Sequence, residues 1–338
     1  MVAGFFDVDT RLSDLKESRD TLEKLKNLIP WEEFRLQLEV VHEKERKSNA
    51  GRKPFDVILM LKILILQSLY NLSDDEMEYQ IKDRLSFMNF LDLSFASPVP
   101  DAKTIWLFRD RLEKHDLVKR IFLSFDKYLR EHGFEAKSGQ IVDATIVRMP
   151  IQRNTKDEND QIKKGNPPED WSDNKRRQKD VDARWTRKDN KLSYGVKNHA
   201  QVDVDGKFVR DYDVTPASTH DSQVLDEILD PDNSSKDVYA DSAYRSKKNI
   251  KKLEKQGYTP RFQKKSCKHY KLTEEERQDN RTNARTRCRI EHVFGAQFQR
   301  AGNLILRTIG IVRAKVKIGL RNLAYNMSRF CFLITKTA

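Results

Sequence analysis

The stretch GQIVDATIVRMP, Gly139–Pro150, decides the fold class of this chain of 338 residues. Most of its apolar residues are β-branched, and that composition predicts a buried strand. One carboxylate, Asp143, interrupts the apolar run. A buried charge without a partner costs on the order of several kcal/mol, so we expect Asp143 to have a compensating partner. From the residues alone, three roles stay open: Asp143 could bind a metal ion, pair with a basic side chain such as Arg148, or cap a neighbouring turn.

Downstream of this stretch the sequence alternates between strand and helix patterns. Short helices are predicted at residues 221–229 and 246–257, and a long helical region is predicted from about Thr273 to the end. The dipeptide Asp205–Gly206 is typical of a tight hairpin turn. Four further strand segments are predicted: 192–204, 207–218, 237–244 and 258–265. This order predicts a mixed α/β domain with a central sheet.

Upstream, the sequence predicts an all-helical region of short helices joined by tight turns. Ser73, followed by Glu76, has the spacing of a capping box and predicts a helix to about Phe90. Asp101 follows two prolines and is a candidate N-cap for the next helix. The pattern suits a helix-turn-helix-like bundle or a helical dimerisation module, and the residues leave both open.

We therefore predict two domains. Residues 1–135 form a helical domain for DNA binding or dimerisation, and residues 136–338 form an α/β domain. Residues 151–190 are highly charged, lack periodicity and contain adjacent prolines, which predicts an insertion that is largely a mobile loop.

The positive charge is concentrated in the C-terminal third of the chain. The formal net charge is +12, of which residues 245–300 contribute +11 and residues 301–338 contribute +7, leaving −6 for the first 244 residues. This asymmetry favours a polyanionic partner, most simply nucleic acid, over the alternative of a solvated basic face.

Cysteine content and apolar runs indicate a cytoplasmic protein without a membrane partner. Three cysteines do not suggest a disulfide framework in a chain of this length. The longest apolar run, residues 57–70, is short and is interrupted by Lys62 and Gln67, so it is a poor candidate for a membrane span.

Three acids are candidates for one site: Asp143, Asp241 and Glu291. Asp241 ends a predicted strand, and groups at strand ends converge in mixed α/β sheets. Glu291 is surrounded by arginines on a predicted helix. Carboxylate oxygens are the ligands that Mg²⁺ and Mn²⁺ prefer. Local roles stay open for each acid, including a turn or cap for Asp241 and an ion pair with Arg287 for Glu291.

Six motifs in register strengthen the hypothesis of a shared site. They are IVDATIV (141–147), DARWTRK (182–188), YGVKNH (194–199), STHDS (218–222), YADSAYRS (239–246) and RCRIEHVFG (287–295). In this order they resemble the DDE transposases of bacterial insertion sequences, of the insertion-sequence-five type. The helical N-terminal region resembles that of the same family, so the resemblance covers about residues 50–325.

The resemblance implies a ribonuclease H-like catalytic core and the activity of a DNA transposase. Such an enzyme cuts at the terminal inverted repeats of its element and joins the 3′-OH ends to target DNA. The implied catalytic and metal-binding triad is Asp143, Asp241 and Glu291, holding two Mg²⁺ ions for which Mn²⁺ can substitute. The implied partners are double-stranded DNA and further copies of the chain, in a homodimer or a larger synaptic assembly. The implied location is the bacterial cytoplasm, associated with the nucleoid when the protein is bound to DNA.

The residues expected to contact DNA are basic or lie next to the triad. They are Lys197, His199, Arg285, Arg287, Arg289 and Arg300. The sequence departs from the family pattern at Phe298, where a lysine is usual, and at Ala284, where a tyrosine is usual. Two other functions stay open: a catalytically inactive DNA-binding regulator of the same fold, and a metal-dependent DNA nuclease that does not join ends.

Overall fold

The computed structural model describes residues 10–11, 13–14, 21–42, 53–188, 190–301 and 305–337. The chain divides into two compact units. The first contains Met1–Lys127, Arg300–Gly302 and Gly319–Ala338, and the second contains Tyr128–Gln299 and Asn303–Ile318.

The first unit is helical, as the sequence predicts. Its described helices are α1 (Thr21–Leu28), α2 (Arg35–Glu39), α3 (Val57–Tyr70), α4 (Asp74–Asp83), α5 (Leu85–Phe90), α6 (Ala102–Lys114) and most of α7 (Leu117–Glu131). The predicted caps are confirmed, since Ser73 Oγ accepts from the Glu76 amide and Asp101 Oδ1 from the Thr104 amide. One prediction was wrong: the helix that begins after Ser73 breaks at Arg84, whose backbone is extended.

The polar residues that interrupt the apolar helix α3 have partners within the first unit. Lys62 Nζ lies 2.8 Å from Asp92 Oδ2. Gln67 joins Arg109 and Asp74, and the guanidinium of Arg109 binds both carboxylate oxygens of Asp74 at 2.7 and 2.8 Å. These contacts let a helix with polar side chains lie in the core of the unit, because buried polar groups need hydrogen-bond partners.

The second unit is built on a mixed sheet. Its described strands are β1 (Gln140–Arg148), β2 (Arg184–Lys188), β3 (Lys191–Asp203), β4 (Val209–Pro216), β5 (Asp237–Ala240) and β6 (Thr259–Phe262). Antiparallel β4, β3 and β1 lie side by side, and β5 and β6 follow in parallel to β1, while β2 pairs with the start of β3. This arrangement confirms the predicted α/β class, a mixed sheet with flanking helices.

The stretch that decides the fold class lies at the centre of this sheet. Strand β1 pairs with β3 over its whole length, with Asp143 opposite Ala200. The contact is tightest at Gly195, where an added β-carbon would lie 2.1 Å from the carbonyl oxygen of Val147. Only a residue without a side chain allows the two backbones to approach this closely.

The charged segment 151–190 contains more regular structure than the sequence suggested. It includes α8 (Lys156–Lys163), α9 (Asp173–Gln178) and strand β2. Thr155 and Glu158 form a reciprocal capping box at the start of α8. Glu158 also accepts from Trp171 Nε1 at 2.8 Å and Lys175 Nζ at 2.6 Å, and these bonds, Lys175 first, lower its pKa to about 2. The polar side chains that suggested a loop are the ones that hold the segment together.

Of the three helical segments predicted in the second half of the chain, two need correction and one is present as expected. Residues 221–229 form two short 3₁₀ turns, Asp221–Gln223 and Leu225–Glu227, rather than one helix. The predicted helix 246–257 is present as α10 (Lys247–Lys255). The predicted helical region from Thr273 to the end is divided into α11 (Glu274–Ala301) and α12 (Ile311–Thr337).

The N-terminus of α12 is fixed by acids of the charged segment. Asp180 Oδ2 accepts from the Gly310 amide, and Asp182 Oδ2 accepts from the Ile311 amide, each at 2.9 Å. Acidic side chains at this end of a helix satisfy free amides and complement the helix dipole.

The functional division at residue 135 stays a prediction, and the compact units differ from it: residues 128–135 belong to the second unit, and residues 300–302 and 319–338 belong to the first. The end of α12 belongs to the first unit, where the ring of Phe330 packs edge-on against Phe125 with centroids 6.1 Å apart. Buried apolar residues on one face of the helix place it in the core of that unit.

Among the described residues, no single helix is long and apolar enough to cross a membrane. Helices α3 and α4 reach that length and composition only together, and they are bent by 103° at their junction.

Candidate active site

Parallel pairing of β1 with β5 brings two of the three predicted acids to the same level. Ile141 pairs with Tyr239 in this ladder. The same register continued by two residues places Asp241, just past the end of β5, level with Asp143. Neighbouring strands lie about 4.8 Å apart, so the two carboxylates belong to one site.

Asp143 is largely buried and incompletely compensated. Its side chain is 16% exposed, its Oδ1 accepts from the Ala144 amide at 2.8 Å, and its Oδ2 lies 3.5 Å from Arg287 Nη2. Burial raises its pKa, and Asp241 adds to the rise, while the Ala144 amide, Arg287 and Lys188 oppose it. The net direction is upward, so the protein holds this carboxylate in a site that disfavours its negative charge.

Asp241 has a local role as well as a place in the site. Its Oδ1 accepts from the Ala243 amide at 2.8 Å and caps the short turn Ser242–Tyr244. The alternative that Asp241 is a turn residue is therefore correct, but this role uses only one of its two carboxylate oxygens. The other oxygen remains available to a ligand, because a carboxylate has several acceptor positions.

Helix α11 passes over the acids and presents Arg287 to them. Arg287 contacts Asp143 through Nη2 and donates from Nη1 to Gln263 Oε1 at 2.8 Å. Gln263 is anchored beside Asp241, since its amide donates to the Ala240 carbonyl. The arginine thus links the helix to both acid-bearing strands.

Glu291 is exposed and lies one helical turn beyond Arg287. Residues four apart share a helix face, so Glu291 is on the side of α11 that faces the acids, about 6 Å further along the axis. Among the described residues, however, no three His, Cys, Asp or Glu side chains are close enough to hold a metal ion. The structure brings Asp143 and Asp241 together but does not bring the Glu291 carboxylate to them.

The donor set fits a hard divalent cation at Asp143 and Asp241. The two carboxylates lie level on adjacent parallel strands, and that of Asp143 is largely buried with one amide hydrogen bond and a 3.5 Å contact with Arg287. Oxygen ligands of this kind suit Mg²⁺ or Mn²⁺, and a cation would offset the unfavourable burial of Asp143.

Several of the predicted DNA contacts are engaged within the protein. Lys197 Nζ binds Asp221 Oδ1 and the Thr219 carbonyl, each at 2.7 Å. Arg289 donates to the Val204 carbonyl at 2.6 Å. His199 is completely buried with Nε2 2.8 Å from Thr215 Oγ1, and burial lowers its pKa to about 4.

Burial and internal contacts divide the predicted DNA-binding residues into those that a ligand can reach and those that it cannot. A neutral ring with no exposed surface has nothing to offer a phosphate, so the sequence-based role of His199 does not fit its position. Arg285 is exposed on α11 and accessible to a ligand. Arg300 lies near the end of α11, and its side chain falls outside the described part of the structure.

Sequence reasoning missed three residues of this site. Lys188, at the end of β2, is exposed and its charge acts on the pKa of Asp143. Asp221 pairs with Lys197, and His220 caps the turn that begins at Asp221. Tyr244 is buried and ends the turn that Asp241 caps. The only signal was their position inside three of the six motifs, because their proximity depends on how strands pair.

Comparison with known protein families matches transposase domains along both parts of the chain. The family model described as "Transposase DDE domain" matches residues 135–327, more than half of the chain. A second model, "Transposase domain (DUF772)", matches residues 10–111. A solved structure that resembles the chain is the piggyBac transposase synaptic complex with hairpin DNA, at 12% identity and a TM-score of 0.45, covering 96% of this chain and 77% of that one. On the two family models, the chain belongs to the DDE transposases of insertion sequences.

Proposed function

We propose that this transposase cuts DNA at the terminal inverted repeats of its insertion sequence and joins the freed 3′-OH ends to target DNA. The observation that carries the proposal is the parallel register of β1 and β5, which sets Asp143 level with Asp241 beneath the arginine-bearing helix α11. Two acids on adjacent strands would form a site for phosphoryl transfer when joined by the third, on the helix above them.

The proposed metal ligands are Asp143, Asp241 and Glu291. DDE transposases generally use divalent metal ions, and here we propose two Mg²⁺ ions, for which Mn²⁺ can substitute. When bound, such ions supply charge stabilisation at the phosphate and lower the pKa of a coordinated water. Glu291 is exposed and free to change rotamer, which it needs to do to reach the other two acids.

The proposed role of Arg287 is to orient Asp143, which would hold the cation. Its guanidinium holds Asp143 at 3.5 Å, and its second nitrogen is fixed by Gln263. With a divalent cation held at Asp143, the guanidinium of Arg287 would be available to a phosphate oxygen of the cleaved strand. Arginine suits this exchange because it binds carboxylate and phosphate in the same fork geometry.

The DNA backbone is proposed to lie along the exposed basic residues near the acids, Arg285 and Lys188. The net charge of +11 over residues 245–300 favours the same surface. Phosphate contacts of this kind give affinity without sequence specificity and make binding strongly dependent on salt. A homodimer or larger assembly is proposed because joining requires two element ends.

The test is metal-dependent cleavage of labelled duplex DNA carrying the repeats that flank the gene. Purified protein is assayed with Mg²⁺ beside Asp143→Asn, Asp241→Asn and Glu291→Gln. Matched controls are Asp237→Asn, at the other end of β5, and Glu274→Gln, at the exposed start of α11. We expect the three site variants to bind the repeats and fail to cut, while both controls cut like the wild type.

The possible outcomes separate the three candidate functions. Cutting followed by joining supports the transposase mechanism, whereas cutting without any strand-transfer product indicates a nuclease. Tight binding without cutting, even with Mn²⁺ and paired ends, indicates a DNA-binding regulator. Full cutting by Glu291→Gln would remove Glu291 from the proposed triad.

A further inference from the structure

A short basic hairpin connects β6 to α11. It consists of residues 264–272, KKSCKHYKL, which include four lysines and no acid. The Cys267 amide donates to the Tyr270 carbonyl at 2.9 Å, and the Tyr270 amide donates to the Cys267 carbonyl at 3.1 Å, so the chain reverses over two residues. Residues 265–271 are all exposed. We call this segment the basic hairpin.

The first turns of α11 hold the base of the basic hairpin in place. Glu276 Oε1 accepts from Tyr270 Oη and lies 3.1 Å from Lys264 Nζ, while its Oε2 accepts from the Thr273 amide at 3.1 Å. The Asn280 side chain bonds both the amide and the carbonyl of Lys264, at 2.9 and 2.8 Å. The segment therefore has a defined conformation without a ligand, which reduces the ordering cost of binding one.

Three lysines of the basic hairpin are left without a partner. Lys265, Lys268 and Lys271 are exposed and form no hydrogen bond or ion pair with the described residues. An acid close to them in sequence, Glu274, pairs with Arg277 at 3.2 Å within α11. Like charges on one short segment repel each other, so their clustering stabilises nothing within the protein itself. The arrangement suits an anionic ligand with several charges.

The basic hairpin begins beside the candidate active site. Gln263, the residue before it, donates its amide to the Ala240 carbonyl at 3.2 Å and accepts from Arg287 Nη1 at 2.8 Å. Arg287 in turn lies 3.5 Å from Asp143. Asn280 precedes Arg287 by two helical turns, about 10 Å along α11. Phosphates of one DNA strand repeat about every 3.4 Å, so this distance corresponds to about three phosphates.

We propose that the basic hairpin binds the phosphate backbone of duplex DNA next to the site of cutting, through Lys265, Lys268 and Lys271. The proposal deepens the proposed function, on which it rests, by assigning a DNA contact on a part of the surface other than Arg285 and Lys188. Lysine binds phosphate as a point charge, so the contact positions the duplex without reading its sequence.

A basic face that is only solvated makes a different prediction. Its lysines would contribute to DNA affinity no more than any other three exposed lysines of the chain. The comparison therefore needs a control variant that loses the same charge elsewhere. Lys137, Lys163 and Lys255 are suitable because they are exposed and lie in the same compact unit outside the basic hairpin.

The experiment measures the affinity of the full-length protein for a labelled duplex carrying the inverted repeat, by fluorescence anisotropy at a series of salt concentrations. Chelator is present throughout, so that cation binding and cutting play no part. Wild type is compared with the triple alanine variant of Lys265, Lys268 and Lys271, and with the triple alanine variant of the three control lysines. We expect the hairpin variant to reduce the slope of log affinity against log salt by about 2–3, and the control variant to keep the wild-type slope.

A second measurement decides if the hairpin variant melts below the wild type. Cys267 is exposed within the basic hairpin, whereas Cys331 is buried, so Cys267 is the accessible thiol in a Cys288→Ser protein. Its rate of reaction with a maleimide is followed with and without the duplex. Loss of labelling at saturating DNA supports the proposal, and an unchanged rate overturns it.

The outcomes separate this proposal from the proposed function. A stable hairpin variant with the wild-type slope, or one whose slope falls no more than that of the control, overturns the role of the basic hairpin. The proposed function stands in that case if the wild type binds and cuts the repeats. A wild-type protein that does not bind duplex DNA overturns both.

Discussion

Replacing Asp143 with asparagine is expected to raise the thermal stability of the cation-free protein. The asparagine keeps the shape of the side chain and removes a charge that the site disfavours. The pKa of Asp143 is raised by burial despite the opposing Ala144 amide and Arg287. The net rise of the pKa already includes the favourable contact with Arg287. In the folded protein at pH 7, a neutral side chain at this position is therefore more stable than a charged one.

The size of the effect follows from the 16% exposure of the side chain and its incomplete set of partners. Burying a polar group that is only partly bonded costs about 1–2 kcal/mol. The second compact unit contains about 190 residues. For a unit of that size, this free energy corresponds to a rise of roughly 2–8 °C in melting temperature.

The dependence on pH has a definite sign. An acid whose pKa is raised on folding binds its proton more tightly in the folded state, so wild-type stability falls as pH rises from the ordinary value of 3.8 through the folded pKa. Asparagine does not titrate. The stability difference between variant and wild type should therefore be greatest near neutral pH and should close on acidification.

Added cation should reverse the order of the two proteins. Binding to the folded state at a hundred times the dissociation constant stabilises by about 2.7 kcal/mol, which exceeds the expected gain from asparagine. The assay is differential scanning calorimetry in chelator and in saturating Mg²⁺ or Mn²⁺, with Asp237→Asn as control. Asp237 is paired with Arg261 at 2.9 Å, so its variant should gain nothing. A chelated Asp143→Asn that melts below the wild type at pH 7, or a difference that widens on acidification, would refute the reasoning.

Three further predictions test the rest of the chain. Arg321 is buried, its Nε and Nη1 have no hydrogen-bond partner among the described residues, and burial lowers its pKa to about 10. Arg321→Met should therefore raise the free energy of unfolding in urea by about 1–3 kcal/mol. A lower urea midpoint in the variant would contradict this. Asp203 pairs with Arg210 at 3.0 Å, and both side chains are 1% exposed. Asp203→Ala should therefore lower the free energy of unfolding in urea by about 3–5 kcal/mol. A decrease below about 1 kcal/mol would count against a structural role of this ion pair. Lys188→Ala should reduce the slope of log affinity against log salt for duplex DNA by about one, measured by fluorescence anisotropy, whereas Lys137→Ala should leave the slope unchanged.

Local signals in the sequence predicted the elements of this fold well. The β-branched run around Asp143 is the central strand β1, and the caps at Ser73 and Asp101 begin helices where expected. These features depend on residues within four positions of one another, which is the range over which caps and strand patterns act. The same logic failed for residues 221–229, because an apolar helical pattern there packs as two short turns over the sheet.

The sequence by itself determined which residue types carry the chemistry: an aspartate within a buried strand, an aspartate after a second strand, and a glutamate on a helix rich in arginine. Only the tertiary structure decided which of them meet. The pairing of β1 with β5 sets Asp143 level with Asp241 across 98 positions of the chain, while Lys197 and Arg289 are bound to other groups. The reason is physical: strand register is set by the burial of one face of the sheet and by backbone pairing between distant segments, and neither is encoded in the spacing of residues along a single segment.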